Sequence, residues 1–239
     1  IYKGSSMVKQ VKPNRTLRIL VAGCFATGML GSVSAYAICT PTISNGSPVT
    51  SNITTSVTGQ CILNTSSISV SGTGTGVYAI YVTGAGSNAT IYNTGTITAR
   101  SSQYISAGIL DAAIGASITN TSTGSITVGG NTIGGNGIFA QGAGSTVTND
   151  GAITLLGPDP TTNFGAGITI QGANSSITNT STGAITLIGR NAGLRVWSTG
   201  ATVVNAGAIN LSNGGSGNSA LTSNYDPMPS GIYFDTGTS

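Results

Sequence analysis

The sequence predicts an all-β fold, a right-handed parallel β-helix, and three observations carry that prediction. First, the stretch Gly167 to Leu187 (G-I-T-I-Q-G-A-N-S-S-I-T-N-T-S-T-G-A-I-T-L) recurs: Ile177 to Thr186 has a near-identical twin at Ile118 to Thr127, and shorter relatives begin at Ile91, Val147 and Val203. Second, glycine followed by an aliphatic residue opens each unit, at Gly76, Gly108, Gly137, Gly167, Gly193 and Gly231. The intervals are 32, 29, 30, 26 and 38 residues. A period of this size, open to insertions, marks a solenoid and not a single globular core. Third, apolar residues alternate over short runs within each unit, as in Ile168/Ile170, Ile177 with Asn179, and Ile185/Leu187. Alternation with period two is the strand signal, and glycine, asparagine and serine clusters break the runs as turns. Three short strands per unit, each with inward residues, describe one coil of a parallel β-helix. Strand twist and the crossover rule select the right hand. Helix-forming composition is scarce after residue 37, which argues against a helical repeat and leaves a propeller or an irregular β-sandwich as alternatives.

Residues 1–6 precede Met7 and read as upstream read-through. Residues 7–37 carry the three parts of a secretory signal: Lys9, Lys12, Arg15 and Arg18, then an apolar run from Ile19 to Val33, then Ala35-Tyr36-Ala37. Cleavage is expected after Ala37, leaving Ile38 as the new N-terminus. Gly23, Gly28 and Gly31 interrupt the run, which is too short for a spanning helix. A lipoprotein box at Val21 to Cys24 would leave too little apolar run ahead of it. Removal of the signal also removes most of the positive charge. What stays is Arg100, Arg190 and Arg195 against Asp111, Asp150, Asp159, Asp226 and Asp235, a net charge of −2. So basic-poor a chain has no electrostatic footprint for nucleic acid.

Residues 38–75 read as an N-terminal cap with a first irregular coil, its apolar positions Ile53, Val57, Ile62, Ile68 and Val70. Cys39 and Cys61 survive cleavage, and a pair in an exported chain is expected to form a disulfide that closes this end. Exposed end coils need such a cap, because an unpaired β edge recruits other chains. The repeats are expected from Gly76 onwards, residues 76–239, with the last coil truncated. Within them Asp111 takes an inward position held elsewhere by Ala79, Ala140, Ile170 and Val196. An unpaired buried carboxylate is costly, so a bulge that turns Leu110 inward is the expectation there. Gly157 to Pro160 and Asn213 to Pro229 are insertions expected to leave one corner.

Asn93, Asn120, Asn149, Asn179 and Asn205 each follow an aliphatic residue by two positions, at the end of the middle strand. Asparagine tolerates left-handed backbone and bonds its own main chain, so a turn role is expected. Coils about 4.8 Å apart would also let equivalent amides bond one another in a ladder.

The chain has no histidine and no glutamate, which excludes the Ser-His-Asp and Cys-His arrangements and the usual zinc sites. No catalytic, metal or cofactor residue is assigned. The five aspartates fall in different coils or loops, with no D-x-D or D-D pair. The calcium nonapeptide is absent, since Gly129-Gly130 and Gly134-Gly135 lack its aspartate. Gly72 to Gly76 lacks the lysine of a phosphate loop.

Signal, low charge, few cysteines and coils of the form G-I-x-x-x-x-G-x-x-x-x-[IV]-x-N-x-G-x-I-x together resemble a bacterial autotransporter passenger domain, from Met7 to the end. The resemblance implies a C-terminal translocator barrel in the outer membrane, missing here, and display of the complete protein at the cell surface or outside the cell. This fragment alone is expected to stay in the periplasm. Adhesins, proteases and esterases occur among passengers, and the residues for the latter two are lacking. The expected function is a non-enzymatic adhesin or aggregation factor. Its polar faces (Thr119, Thr121, Thr148, Thr178, Thr180) would meet surface glycans or proteins, or a second copy. A pectin-lyase-like carbohydrate-active enzyme on the same scaffold is the alternative, and an ice-binding helix is disfavoured by the unequal repeat lengths.

Overall fold

The computed structural model describes residues 43–73, 76–101, 106–130, 135–156, 165–188, 191–212 and 230–234. The chain divides into two compact units, Ile1–Ala37 and Ile38–Ser239. The first unit, with the expected signal and its Ala35 and Ala37, lies outside the described residues, as do Ile38 and Cys39.

All regular structure among the described residues is β-strand. A short opening coil holds β1 (Ile43–Asn45) and β2 (Ile53–Thr55), with Val49 bridging to Ile68 between them. Coils of three strands follow: β3 (Cys61–Asn64), β4 (Ser67–Gly72) and β5 (Val77–Val82), then β6 (Thr90–Asn93), β7 (Thr96–Ser101) and β8 (Ser106–Asp111). The middle of the chain supplies β9 (Ser117–Asn120), β10 (Ser125–Gly130), β11 (Asn136–Ala140), β12 (Thr146–Asn149), β13 (Ala152–Leu156) and β14 (Gly165–Ile170). The last are β15 (Ser176–Asn179), β16 (Ala184–Ile188), β17 (Asn191–Val196), β18 (Thr202–Asn205), β19 (Ala208–Ser212) and β20 (Ser230–Phe234).

Each third strand joins the same parallel sheet. Sheet A runs β1-β3-β6-β9-β12-β15-β18, sheet B runs β4-β7-β10-β13-β16-β19, and sheet C runs β2-β5-β8-β11-β14-β17-β20. This is a parallel β-helix. Regular stacking begins at Ile43, ahead of Gly76, because β3 to β5 already keep the register of the later coils. The two longest connections run from sheet B to sheet C, and the insertions Gly157 to Pro160 and Asn213 to Pro229 fall there, outside the described residues.

The interior is filled by columns of like residues. Sheet A stacks Ile62, Ile91, Ile118, Val147, Ile177 and Val203. Sheet B stacks Ile68, Ile97, Ile126, Ile153, Ile185 and Ile209. Sheet C stacks Ile80, Ile109, Ile138, Ile168, Leu194 and Ile232. β-Branched side chains suit this use, since their stiff χ1 lets each copy nest on the one below. Ile118, Ile126, Val147, Ile153, Ile177 and Ile185 are fully buried, whereas Val203 and Ile209 are only partly covered. The difference has a simple cause: β18 and β19 are the last strands of their sheets. Of the cap positions, Ile62 and Ile68 are buried and Ile53 and Val70 partly so, but Val57 faces solvent at 59% exposure, just past the end of β2.

At Gly108, Gly137, Gly167 and Gly193, glycine precedes the sheet C aliphatic because a Cβ there would collide with the neighbouring coil and with sheet B. A Cβ on Gly108 would stand 2.8 Å from the Gly137 carbonyl oxygen and run into the γ-methyl of Ile126, and Gly193 would meet Gly231 and Ile209 in the same way. The first unit departs from the sequence reading here. Ile80, not Val77, pairs with Ile109, so the pair equivalent to Gly108-Ile109 is Ala79-Ile80 and not Gly76-Val77.

Replacing Ile177 by Ala is expected to cost about 2–5 kcal/mol, since a stack clamped from both sides closes poorly over the hole. Val203→Ala, at the partly open end, should cost about 1 kcal/mol or less. Chemical denaturation of the two variants checks this, and equal costs would contradict the stacking described.

Candidate functional site

Among the buried polar groups of the described residues, two sets stand out. The first is a chain of asparagine amides at the A-to-B corner. Asn45 Nδ2 donates to Asn64 Oδ1 at 2.8 Å and Asn64 to Asn93 at 2.7 Å. Asn93 donates to Asn120, Asn120 to Asn149, Asn149 to Asn179 and Asn179 to Asn205, each at 2.8 Å. A carboxamide carries both an acceptor and a donor, so it accepts from the coil before and donates to the coil after. An aspartate would present only acceptors. The glycine that follows in each coil makes room: a Cβ on Gly124 or Gly183 would collide with its own coil's ladder amide and with the Asn93 or Asn149 carbonyl. That is the physical content of N-x-G and N-T-S-T-G.

The ladder asparagines stand at the corner where a turn was expected, but without the left-handed backbone expected of them. That conformation occurs instead at the C-to-A corner, at Gly59, Asn88, Gly115, Gly144, Asn174 and Gly200 (φ between 56° and 71°). The N–H groups of Gly59, Asn88, Gly115, Gly144 and Asn174 each donate to a carbonyl of the following coil, as Asn88 does to Ile114 at 2.7 Å. A visible signal marked this turn: glycine or asparagine two residues before the start of each sheet A strand from β3 onwards.

The second polar intrusion is Asp111. No bulge forms. Leu110 and Asp111 pair in order with Phe139 and Ala140 on one side and with Tyr81 and Val82 on the other, so Asp111 points inward. It is 0% exposed. Its Oδ1 accepts the Ala113 N–H at 3.2 Å, and its Oδ2 lies 3.5 Å from the Ser145 hydroxyl. Ser145 Oγ sits closer to the Gly142 carbonyl, at 2.9 Å, and Ser175 Oγ is 3.2 Å from the same carbonyl. A serine has one hydroxyl hydrogen, and the Gly142 carbonyl competes for it with the Asp111 carboxylate, which leaves Ser145 a weak donor to Asp111. Burial raises the Asp111 pKa to about 6, against the smaller lowering effect of the Ala113 and Ser145 hydrogen bonds.

Outside the helix the faces differ. Sheet A shows Tyr92, Thr119, Thr148, Thr178 and Val204 in one column, with Thr119 nearly covered. Sheet B adds a column that the sequence reading passed over: Ser69, Thr98, Thr127, Thr154, Thr186 and Asn210. Thr121 and Thr180 are spent at the corner, Thr121 donating to the Asn93 carbonyl at 3.0 Å and Thr180 to Asp150 Oδ1. Asp150 stands at that same A-to-B corner, 2.7 Å from the Thr180 hydroxyl, while Asp111 is inside at the end of a sheet C strand. The two carboxylates are not brought together. Asp159, Asp226, Asp235 and Arg190 lie outside the described residues. No group of three or more metal-ligating side chains occurs among the described residues. Cys61 is buried and disulfide-bonded; Cys39, its expected partner, lies outside the described residues.

A family model described as the BigA third pectate lyase-like domain matches residues 42–225. The chain belongs to this family. BigA is a bacterial surface protein, and the matched span covers the described helix almost entirely. Neither the comparison with curated proteins nor that with solved structures finds a match. The family description speaks to the β-helical scaffold, and it brings no acid–base constellation among the described residues.

Removing one rung tests the ladder. Asn149→Ala strands the Asn120 donor and the Asn179 acceptor in the interior and should cost about 2–4 kcal/mol, while Asn205→Ala, at the open end, should cost about 1 kcal/mol. Similar losses in urea titrations would contradict a load shared along the ladder.

Asp111 gives a pH signature. Because its folded pKa lies above the ordinary 3.8, its contribution is fully present below that value and is lost as pH rises through about 6. Stability should therefore fall by up to about 3 kcal/mol between pH 4 and 8. Asp111→Asn should flatten the profile and be the more stable protein at pH 8. An unchanged profile would contradict the assignment.

Proposed function

We propose that this domain is a non-enzymatic binding module displayed on a bacterial surface, an adhesin or aggregation factor. The observation that carries the reading is the outer surface of sheets A and B. Hydroxyl side chains stand in register from coil to coil, with little charge among them. Such a face offers many weak, equivalent hydrogen-bonding positions along a rod. Affinity from it grows by repetition, as each engaged coil raises the effective concentration of the next. Surface glycans and proteins, or the same face of a second copy, are the partners this chemistry suits.

The export signal expected at residues 7–37, the disulfide at Cys61, paired in this reading with Cys39, and the family's link to a bacterial surface protein support placement outside the cytoplasm. The same features fit an autotransporter passenger carried by an outer-membrane barrel. The family description favours one competing reading, a pectin-lyase-like enzyme. Against it, Asp111 is sealed inside the coil and Asp150 sits at another corner. General acid–base work needs groups within reach of one substrate.

The purified protein is expected to adhere to glycan-coated surfaces when clustered on beads and to show little affinity as a monomer. It should release no unsaturated product from pectin or hyaluronan. Turnover of either polymer that disappears in Asp150→Asn would overturn the reading, as would tight monovalent binding.

A further inference from the structure

A solenoid pairs its strands along the sides and leaves two ends. At the late end β18, β19 and β20 are the last strands of sheets A, B and C, and the inward columns finish there in the open. Leu211, Ile232 and Phe234 continue the columns of Leu187, Leu194 and Val196. They are 42%, 40% and 60% exposed, whereas those three are buried. Val203 and Ile209 beside them are partly covered. At the early end the columns begin with Ile43, Val49 and Ile53, which are partly covered too. The two ends therefore present matching columns: Ile43 corresponds to Val203 in sheet A, Val49 to Ile209 in sheet B and Ile53 to Ile232 in sheet C.

The amide ladder gives these ends a direction. Every rung donates from Nδ2 to the Oδ1 of the following coil. Among the described residues, Asn205 thus closes the ladder with an Nδ2 that donates to nothing, and Asn45 opens it with an Oδ1 that accepts nothing.

We propose that the late end of one copy binds the early end of a second copy, so that the exported chain stacks head to tail. β1 of the second copy lies parallel on β18, its Val49 segment on β19 and its β2 on β20, and Asn205 Nδ2 donates to Asn45 Oδ1 across the junction. Three features select this occupant. Uncovered strand edges pair readily with other chains. A tail-to-tail contact would set two Asn205 donors against each other and a head-to-head contact two Asn45 acceptors, so only the polar arrangement satisfies both. The chain after residue 37 carries three basic residues against five acidic ones, too little charge to hold copies apart. Such a contact is heterologous and does not close on itself, so it grows into a filament. The cross-section of a single coil is a small interface, for which roughly micromolar affinity is expected. Stacking goes beyond the reading of the hydroxyl faces and does not rest on it, although it would set the columns of successive copies in line.

Sedimentation velocity of the protein purified after export tests this. Its mass should rise with concentration past that of a dimer. Phe234→Asp blocks the late end and Ile53→Asp the early end, and each variant alone should remain a monomer. Their equimolar mixture should give a dimer that grows no further, because it holds one intact late end and one intact early end. Asn205→Ala keeps the columns and removes the donor, and should weaken association about ten-fold. Val49→Asp, at an isolated bridge and not within a strand, is a second early-end block if thermal unfolding shows that Ile53→Asp does not fold. A wild-type protein that stays monomeric at every concentration would overturn the proposal. So would self-association that persists in either blocked variant, or a mixture of the two that stays monomeric. Adhesion of Phe234→Asp to glycan-coated beads is measured alongside, so that failure of stacking and failure of the binding reading are told apart.

Discussion

Each coil sets an asparagine where the previous coil set one, because the shortest partners of each buried carboxamide's donor and acceptor are the carboxamides one coil away. The ladder from Asn45 to Asn205 is continuous through the described helix, and the rest of the architecture is tied to it. It fixes the register of sheet A, and the corner glycines beside it keep β-strands A and B close. A one-residue slip would turn a column of isoleucines outward and a column of threonines inward. It would also leave amide groups unpaired in the interior, at a cost that no other part of the coil offsets.

With register held at the A-to-B corner, variation is pushed elsewhere. The chain changes length on the B-to-C connections while the columns of all three sheets stay aligned. The outside of the helix is thereby split between two chemistries. Sheets A and B present hydroxyl columns, and the outer face of sheet C carries aromatic and apolar groups with Arg195. The proposed binding role rests on the hydroxyl columns. The buried Asp111 belongs to the frame and not to either surface: it sits among Ala113, Ser145 and Ser175, where burial favours its neutral form.

Much of this was legible in the sequence, because a solenoid writes its structure as repetition. The fold class and the inward columns through Ile118, Ile126, Ile177 and Ile185 followed from period-two alternation. Positions whose reason lies in the neighbouring coil were harder. Asparagine was assigned to left-handed backbone from its local preference, while the residues that adopt it are Asn88 and Asn174 with their glycine equivalents. Asp111 was placed in a bulge because an isolated carboxylate is costly inside, and the relief from Ser145 and from protonation could not be seen along one strand. Gly76 passed for a unit marker by spacing alone, although only the contact of Gly108 with Ile126 and Gly137 explains what such a glycine is for. Tyr233 stands far from Arg195 and Trp197 in the sequence and meets them only because parallel pairing sets β20 beside β17.

The amide ladder is tested most directly by hydrogen exchange of the asparagine side chains, read residue by residue with NMR. The Nδ2 hydrogens of Asn93, Asn120, Asn149 and Asn179 should be strongly protected, while those of the exposed Asn52 and Asn210 exchange at the rate of free amides. Uniformly fast exchange at all six would contradict the ladder, and with it the coil-to-coil register on which the rest of the account depends.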